Sequence, residues 1–98
     1  MRLYEVIWKD KFVDKIEGRH KVTTDEVEEV LFSKPHTRRA EKGHVRGEDL
    51  YVAYAQTHGG RYLVVFFVHK HQSVALPISA RDMTQSERRY YERQKKAY

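Results

Sequence analysis

The chain contains no cysteine among its 98 residues. Disulfide bridges and thiolate metal sites are therefore excluded, and we expect a cytoplasmic protein. Long apolar runs are also missing, because the longest one, Tyr62–Val68, is far shorter than the roughly 20 residues of a transmembrane helix. The first residues alternate charged and apolar side chains, unlike a signal peptide, so no association with a membrane is expected.

Positive charge is in excess, and the excess is confined to one segment. Residues 61–98 contain eight Lys and Arg against three Asp and Glu, whereas residues 1–60 contain eleven of each. The formal net charge of +5 therefore lies in the last third of the chain. A sequence pI near 9.5 is compatible with nucleic acid, an anionic membrane or an acidic protein as partner, and composition does not choose between them.

Apolar periodicity and capping signals predict a single α+β domain over residues 1–98. The predicted elements are, in order, a strand at 3–8, helices at 10–19 and 23–34, strands at 50–57, 62–68 and 74–80, and a helix from 84. Residues 36–49 have only weak strand character. We expect an antiparallel sheet of about four to five strands with two N-terminal helices and a C-terminal helix. The helices should pack on one face of the sheet and leave the other face partly open.

Two arginines mark the ends of neighbouring predicted strands. Val74, Leu76, Ile78 and Ala80 are expected to face the core, which turns Arg81 toward the open face. Arg61 begins the preceding, antiparallel strand, so its guanidinium is expected to converge with that of Arg81. Two guanidiniums at one place form a phosphate-binding arrangement. In the alternative interpretation each arginine caps a strand end or pairs with a nearby carboxylate.

The order and spacing of several short motifs carry a resemblance to a known family. These motifs are Trp8, His20, Val22-Thr23, Asp25-Glu26, Val30-Leu31-Phe32, Gly47-Glu48-Asp49, Gly60-Arg61-Tyr62-Leu63-Val64-Val65, Ile78-Ser79-Ala80-Arg81, Thr84 and Glu87-Arg88-Arg89-Tyr90-Tyr91. In these features the chain resembles the BrnT family of bacterial toxins, which are ribonucleases of type II toxin–antitoxin systems with a RelE-like fold. The resemblance implies metal-independent endonucleolytic cleavage of RNA, without a cofactor. It also implies a cognate antitoxin, usually with a ribbon-helix-helix domain, that covers the sheet face.

Metal-free RNA cleavage requires a base for the 2′-hydroxyl, cations for the phosphate and an acid for the 5′-oxygen. We assign neutralisation to Arg61 and Arg81. Glu48 or His44 is the candidate base, and His20 or Tyr91 is the candidate acid. The simpler alternatives are that His20 caps its helix, that His44 is a solvated loop residue and that Tyr91 packs.

Further basic side chains are expected to contact RNA. The predicted set is Arg38, Arg39, Arg46, Arg88, Arg89 and Arg93. No aromatic residues interleave with them as in a base-stacking platform, so contact with the RNA backbone is favoured over base readout. The simpler interpretation of Arg88, Arg89 and Arg93 is that they form a solvent-exposed face of the C-terminal helix. The alternative function is a non-catalytic nucleic-acid or protein binding module, and a stand-alone DNA-binding protein ranks third. The sequence sets no oligomeric state.

Overall fold

The computed structural model describes residues 1–43 and 47–96 and contains a five-stranded sheet and three α-helices. The strands are β1 (Glu5–Val6), β2 (His36–Glu41), β3 (Leu50–Gln56), β4 (Tyr62–Lys70) and β5 (Val74–Asp82). The helices are α1 (Asp10–His20), α2 (Thr24–Phe32) and α3 (Gln85–Lys96). The strand order is β1-β5-β4-β3-β2. The α+β class, two N-terminal helices and a C-terminal helix are confirmed.

The sheet is mixed, which corrects the expectation of a fully antiparallel one. β2, β3, β4 and β5 pair antiparallel through hairpin connections, whereas the two-residue β1 pairs parallel with β5. The parallel pairing arises because α1 and the following elements carry the chain away before it returns to the β1 edge. None of the described helices has the length and apolarity required to cross a membrane.

One face of the sheet, called here the inner face, is covered by α1 and α2. Ile16 of α1 and Val27 and Leu31 of α2 are buried against Leu63 and Phe67 of β4. The start of α2 is fixed as predicted by a capping box, in which Thr23 Oγ1 accepts from the amide of Glu26 and the Glu26 carboxylate accepts from the amide of Thr23. This apolar contact forms the main core.

A β-bulge in β5 changes which side chains face that core. Phe67 pairs with Pro77 and Phe66 pairs with Ser79, so Ile78 is an extra residue on β5. The predicted alternation of Val74, Leu76, Ile78 and Ala80 on one face is therefore wrong. Ala75 belongs to the inner-face core before the bulge and Ala80 after it. Arg81 still points to the opposite, outer face, as predicted.

The third helix packs on the outer face, which corrects the expectation that all helices share one face. Met83 and Val64 form a second buried cluster there, against which Tyr90 and Tyr91 of α3 pack. A second capping box, between Thr84 and Glu87, opens α3 as predicted. No described residue of α3 is itself buried, so the helix is attached mainly by its aromatic rings and polar side chains.

The polar segment after α2 forms an edge strand. Residues 36–49 were expected to have little strand character, yet β2 pairs with β3 over most of its length. The side chains of His36 and Arg38 alternate with those of Thr37 and Arg39, so His36 and Arg38 share the outer face with their β3 partners Tyr54 and Val52. This alternation places two polar side chains of β2 beside α3.

Candidate active site

The guanidinium of Arg61 lies on the inner side of the sheet, where it joins three elements. It forms a two-pronged ion pair with Asp82, at 2.8 Å from Nε and 3.2 Å from Nη2, and a second ion pair with Glu26 at 3.0 Å. It also donates to the carbonyl oxygens of Lys21, at 2.8 Å, and His20, at 3.4 Å. These bonds raise the pKa of Arg61, chiefly through Asp82, and lower the pKa of Asp82. Arg61 therefore ties the ends of α1 and β5 to the start of α2.

Arg81 lies on the opposite face of the sheet. Its Cα pairs with that of Val64, which is buried with Met83 on the outer face, whereas Leu63 belongs to the inner-face core. The expected convergence of Arg61 and Arg81 is therefore wrong, because the sheet separates them. Arg61 is two residues before Leu63 and shares its side of β4, while Arg81 occupies the other side.

Arg81 instead belongs to a group of polar side chains that meets on the outer face, called here the outer-face cluster. Its members are His36, Arg38, Tyr54, Arg81, Glu87 and Tyr90. They come from β2, β3, β5 and α3. His36 and Arg38 contact the rings of Tyr54 and Tyr90, whose centroids are 5.1 Å apart, and Arg81 pairs with Glu87. A cavity of about 480 Å³ opens there, lined by Arg38, Tyr54, Ser86, Glu87 and Tyr90.

Hydrogen bonds hold the β2 side of this cluster. His36 Nε2 is 2.8 Å from the hydroxyl oxygen of Tyr90, and Arg38 Nε donates to the hydroxyl oxygen of Tyr54 at 3.2 Å. Burial, followed by the charge of Arg38, lowers the pKa of His36 below its ordinary value of 6.5. The imidazole is therefore neutral at neutral pH and able to accept a proton.

An ion pair holds the β5 side of the cluster. Arg81 Nη1 and Nη2 donate to the two carboxylate oxygens of Glu87 at 2.7 and 3.0 Å. The hydrogen bonds from Arg81 keep the pKa of Glu87 below its ordinary value, and the same contact raises the pKa of Arg81. The pKa of Arg38 is raised, chiefly by its hydrogen bond with Tyr54, and the charge of Glu87 also contributes, so Glu87 interacts electrostatically with both guanidiniums. One guanidinium, one carboxylate and two phenols thus line the cavity, and His36 and Arg81 lie behind them, in contact with Tyr90 and Glu87.

The sequence matches a protein family over residues 8–87, and that family is described as "Ribonuclease toxin, BrnT, of type II toxin-antitoxin system". The chain belongs to the BrnT toxin family. Comparison with curated proteins gives no significant match. Membership in the BrnT family identifies the chain as a ribonuclease toxin with RNA as substrate and an antitoxin as partner.

Besides Arg61, three of the residues predicted for catalysis in this BrnT chain lie outside the outer-face cluster. Glu48 forms an ion pair with Lys70, at the far end of β4 from Tyr62. His20 ends α1, where its carbonyl oxygen accepts from Arg61. Tyr91 faces the outer side with α3 but packs edge-on against Tyr62, with ring centroids 6.1 Å apart. The structure brings none of these three to Arg81.

The described residues predicted to contact RNA lie in three places. Arg38 belongs to the outer-face cluster, while Arg39 points to the other side of β2 and pairs with Asp49 at 3.5 Å. Arg88, Arg89 and Arg93 are exposed along α3. Arg46, and with it the candidate base His44, lies outside the described residues.

Sequence reasoning missed His36, Tyr54 and Tyr90 as members of a site. The available signal was the spacing of His36 and Arg38, which share a face if residues 36–41 form a strand. Nothing in the sequence indicated a functional role for Tyr54, because it lies in an apolar strand and is predicted to be a core residue. Within residues 1–43 and 47–96, no group of three or more His, Asp or Glu side chains is arranged to hold a metal ion.

Proposed function

We propose that this chain is a metal-independent endoribonuclease whose active centre is the outer-face cluster. The observation that supports the proposal best is that Arg38, which lines the cavity, shares one cluster with Arg81 and a neutral His36, which contact the lining residues Glu87 and Tyr90. Two cations and a base are the groups required for attack of a 2′-hydroxyl on the adjacent phosphorus. This attack breaks the bond from phosphorus to the 5′-oxygen and forms a 2′,3′-cyclic phosphate.

In this proposal Arg38 and Arg81 hold the scissile phosphate. Glu87 and the carbonyl oxygen of Asp82 engage three of the five N–H groups of Arg81, which leaves Nε–H and one Nη2–H as an adjacent pair of donors. The Nη groups of Arg38 make no hydrogen bond within the described part of the chain, since its one bond uses Nε. Both guanidiniums therefore keep donors for a phosphate oxygen, and their charge stabilises the pentavalent transition state.

His36 is assigned as the base that takes the proton of the 2′-hydroxyl. Glu87 is the competing candidate, but both of its oxygens accept hydrogen bonds from Arg81 and its pKa is lowered. A carboxylate so engaged is a weak base. The lowered pKa of His36 keeps its imidazole unprotonated, and the Tyr90 hydroxyl orients the ring.

Tyr54 is assigned as the acid for the 5′-oxygen, in place of the predicted Tyr91 or His20. Its hydroxyl oxygen accepts from Arg38 Nε, so the phenolic proton is directed away from Arg38. The guanidinium also offsets the negative charge left on the oxygen after the proton departs. Tyr54 lines the cavity, whereas Tyr91 packs against Tyr62 on the other side of α3.

The decisive experiment is cleavage of single-stranded RNA by the purified protein in excess EDTA. We expect fragments that end in a 2′,3′-cyclic phosphate and a 5′-hydroxyl. RNA with a single 2′-deoxy sugar at a cleaved position should stay intact there, because the nucleophile is missing. The matched control is the His36→Ala protein, checked for its fold by circular dichroism.

A protein that binds RNA but leaves it intact under all these conditions would contradict the proposal and favour the non-catalytic binding module. Cleavage that yields 3′-hydroxyl ends would contradict attack by the 2′-hydroxyl. Cleavage of the wild-type protein abolished by EDTA would contradict the metal-independent mechanism.

The proposal includes the setting in which the toxin acts. We expect the antitoxin to be a DNA-binding protein of the ribbon-helix-helix class and both proteins to act in the cytoplasm, as the family resemblance implies. Arg39, Arg46, Arg88, Arg89 and Arg93 are assigned to contacts with RNA outside the scissile phosphate. The gene next to this one tests the antitoxin class directly.

A further inference from the structure

A second, larger cavity lies on the other side of α3 from the outer-face cluster. It has a volume of about 770 Å³, and its lining includes Met83, Arg88, Arg89, Glu92, Arg93 and Lys96. Four cations therefore face one carboxylate. That carboxylate is engaged, because the Tyr62 hydroxyl donates to Glu92 Oε1 at 3.0 Å. The cavity is a strongly cationic groove of a size suited to a small organic group.

A cation–π pair lies at one side of this groove, where Arg88 lines it and Tyr62 lies behind Arg88. The guanidinium carbon of Arg88 lies 4.1 Å from the ring centroid of Tyr62. The hydrogen bond to Glu92 and the edge contact with Tyr91 fix the Tyr62 ring from two sides. Arg88 itself is exposed, so one side of its guanidinium rests on the ring while the rest is open to the groove.

The groove adjoins the proposed active centre. Ser86 lines the first cavity and Arg89 lines the second, and Arg89 Nη2 lies 3.4 Å from Ser86 Oγ. Tyr62 is two residues from Val64, the β4 partner of Arg81, which is about 7 Å along a strand. A single-stranded chain that passes over the start of α3 therefore reaches both cavities.

We propose that this groove is a nucleobase-binding subsite for single-stranded RNA, in which a base stacks on the guanidinium of Arg88. The inference rests on the proposed function, because it concerns the same RNA strand one or more nucleotides from the scissile phosphate. Guanidinium planes are established stacking partners for unpaired bases. Tyr62 of β4 supplies the aromatic ring that supports the Arg88 guanidinium from the other side. The surrounding Arg89 and Arg93 neutralise the adjoining phosphates.

The test separates base stacking from phosphate contact by means of abasic nucleotides. Fluorescence anisotropy is measured with 2′-fluoro RNA of about eight nucleotides, a length that suits one binding groove and that lacks the 2′-hydroxyl for cleavage. In a series of these strands, one base at a time is removed while every phosphate is kept. The proteins compared are wild type, Arg88→Ala and Arg88→Lys, with Arg19→Ala as a matched control on α1.

With the wild-type protein, removal of the base at one position should weaken binding about tenfold or more. That positional loss should vanish in Arg88→Ala and in Arg88→Lys, since a lysine keeps the charge but not the planar group. Arg88→Lys should retain the salt dependence of the wild type. Arg19→Ala should behave as the wild type throughout.

An equal effect of abasic positions in wild type and Arg88→Lys would overturn the subsite, and so would the absence of any position-specific loss. Binding of acidic peptides but not RNA to the groove would overturn it in favour of a protein partner. Because the strands cannot be cleaved, these outcomes are independent of nuclease activity. Failure of the cleavage assay with an intact stacking signal would contradict the proposed function alone.

Discussion

Arg61 and Arg81 lie at adjoining ends of neighbouring strands, yet their surroundings differ in kind. Arg61 is bound by two carboxylates and two backbone carbonyls that come from three separate parts of the chain. Arg81 is bound mainly by one carboxylate, beside a cavity lined by phenols. The first arrangement consumes every direction in which a guanidinium donates. The second leaves an edge of it open to a ligand.

The comparison shows that the hydrogen-bond partners of an arginine, more than its charge or its position on a strand, indicate whether it can bind a substrate. The carbonyl oxygens at the end of α1 are fixed by the backbone, so a phosphate cannot displace them as partners of Arg61. Glu87, on the helix next to the cavity, occupies only part of the Arg81 guanidinium, so the remaining N–H groups can bind an incoming anion. Arg61 and Arg81 therefore make opposite predictions for stability and for activity.

Arg81→Ala should give the largest effect. We expect single-turnover RNA cleavage to slow by about 10²–10³-fold, because one of two groups that stabilise the transition state is lost. The free energy of unfolding should fall by no more than about 1 kcal/mol, since the Glu87 pair is partly exposed. Rates with saturating protein and thermal unfolding curves measure the two effects. A variant that cleaves RNA at the wild-type rate would exclude Arg81 from the active centre.

Arg61→Ala should affect stability instead. Loss of its ion pairs and of the two carbonyl contacts should lower the free energy of unfolding by about 2–3 kcal/mol. RNA cleavage well below the melting temperature should stay within a few-fold of wild type, because the inner face does not reach the cavity. Urea unfolding and cleavage rates are measured on the same preparation. A folded Arg61→Ala protein as inactive as Arg81→Ala would restore the catalytic role that the sequence suggested for Arg61.

The pH dependence of cleavage should report the protonation of His36. Its effect should be smaller than the effects of the two arginine substitutions. The pKa of His36 is lowered from 6.5, so the imidazole stays neutral as the pH falls through 6.5 and is protonated only below that value. The acid limb of kcat/KM should therefore have its midpoint below pH 6.5, and NMR titration of His36 should give the same midpoint. The residual activity of His36→Asn should lack this limb. A limb centred above 6.5 would assign the base to another group.

Asp82→Asn should give the smallest effect. Arg61 lowers the pKa of Asp82 below 3.8, so the carboxylate adds stability above that value, which is lost as the pH falls through the folded-state pKa. Because the Asp82 side chain is 62% exposed and Arg61 keeps Glu26, the loss at neutral pH should be below about 1 kcal/mol. Wild type and variant should converge at acid pH. A constant difference at every pH would mean that the charge is not responsible.

Capping and periodicity predicted most of the fold. The Thr23 and Thr84 capping boxes and the apolar strands fall where the sequence indicated, because each depends on neighbouring residues alone. The position of α3 could not be predicted from such local signals. Its place on the outer face depends on contacts of Tyr90 and Tyr91 with distant strands, which no spacing within the helix specifies.

The candidate site was only half predicted. The sequence predicted the correct face for Arg81. It predicted the same face for Arg61, because Tyr62–Val68 is apolar on both sides and its pattern does not show which side faces the core. Arg38 was expected to contact RNA, although not as the partner of Arg81 across Tyr54. The decisive fact, that polar β2 pairs with β3, is a long-range pairing that the turn-rich composition of residues 36–49 concealed.

The β-bulge at Ile78 determines which side of the protein carries the guanidinium of Arg81. If β5 paired with β4 without this bulge, Ala80 would lie opposite Val64 on the outer face and Arg81 opposite Leu63, in the apolar layer beneath α1. Such a one-residue slip changes no amino acid, yet it would exchange a methyl group for a cation in the interior. Pro77, which offers no amide proton to the neighbouring strand, suits the irregular step that prevents this exchange.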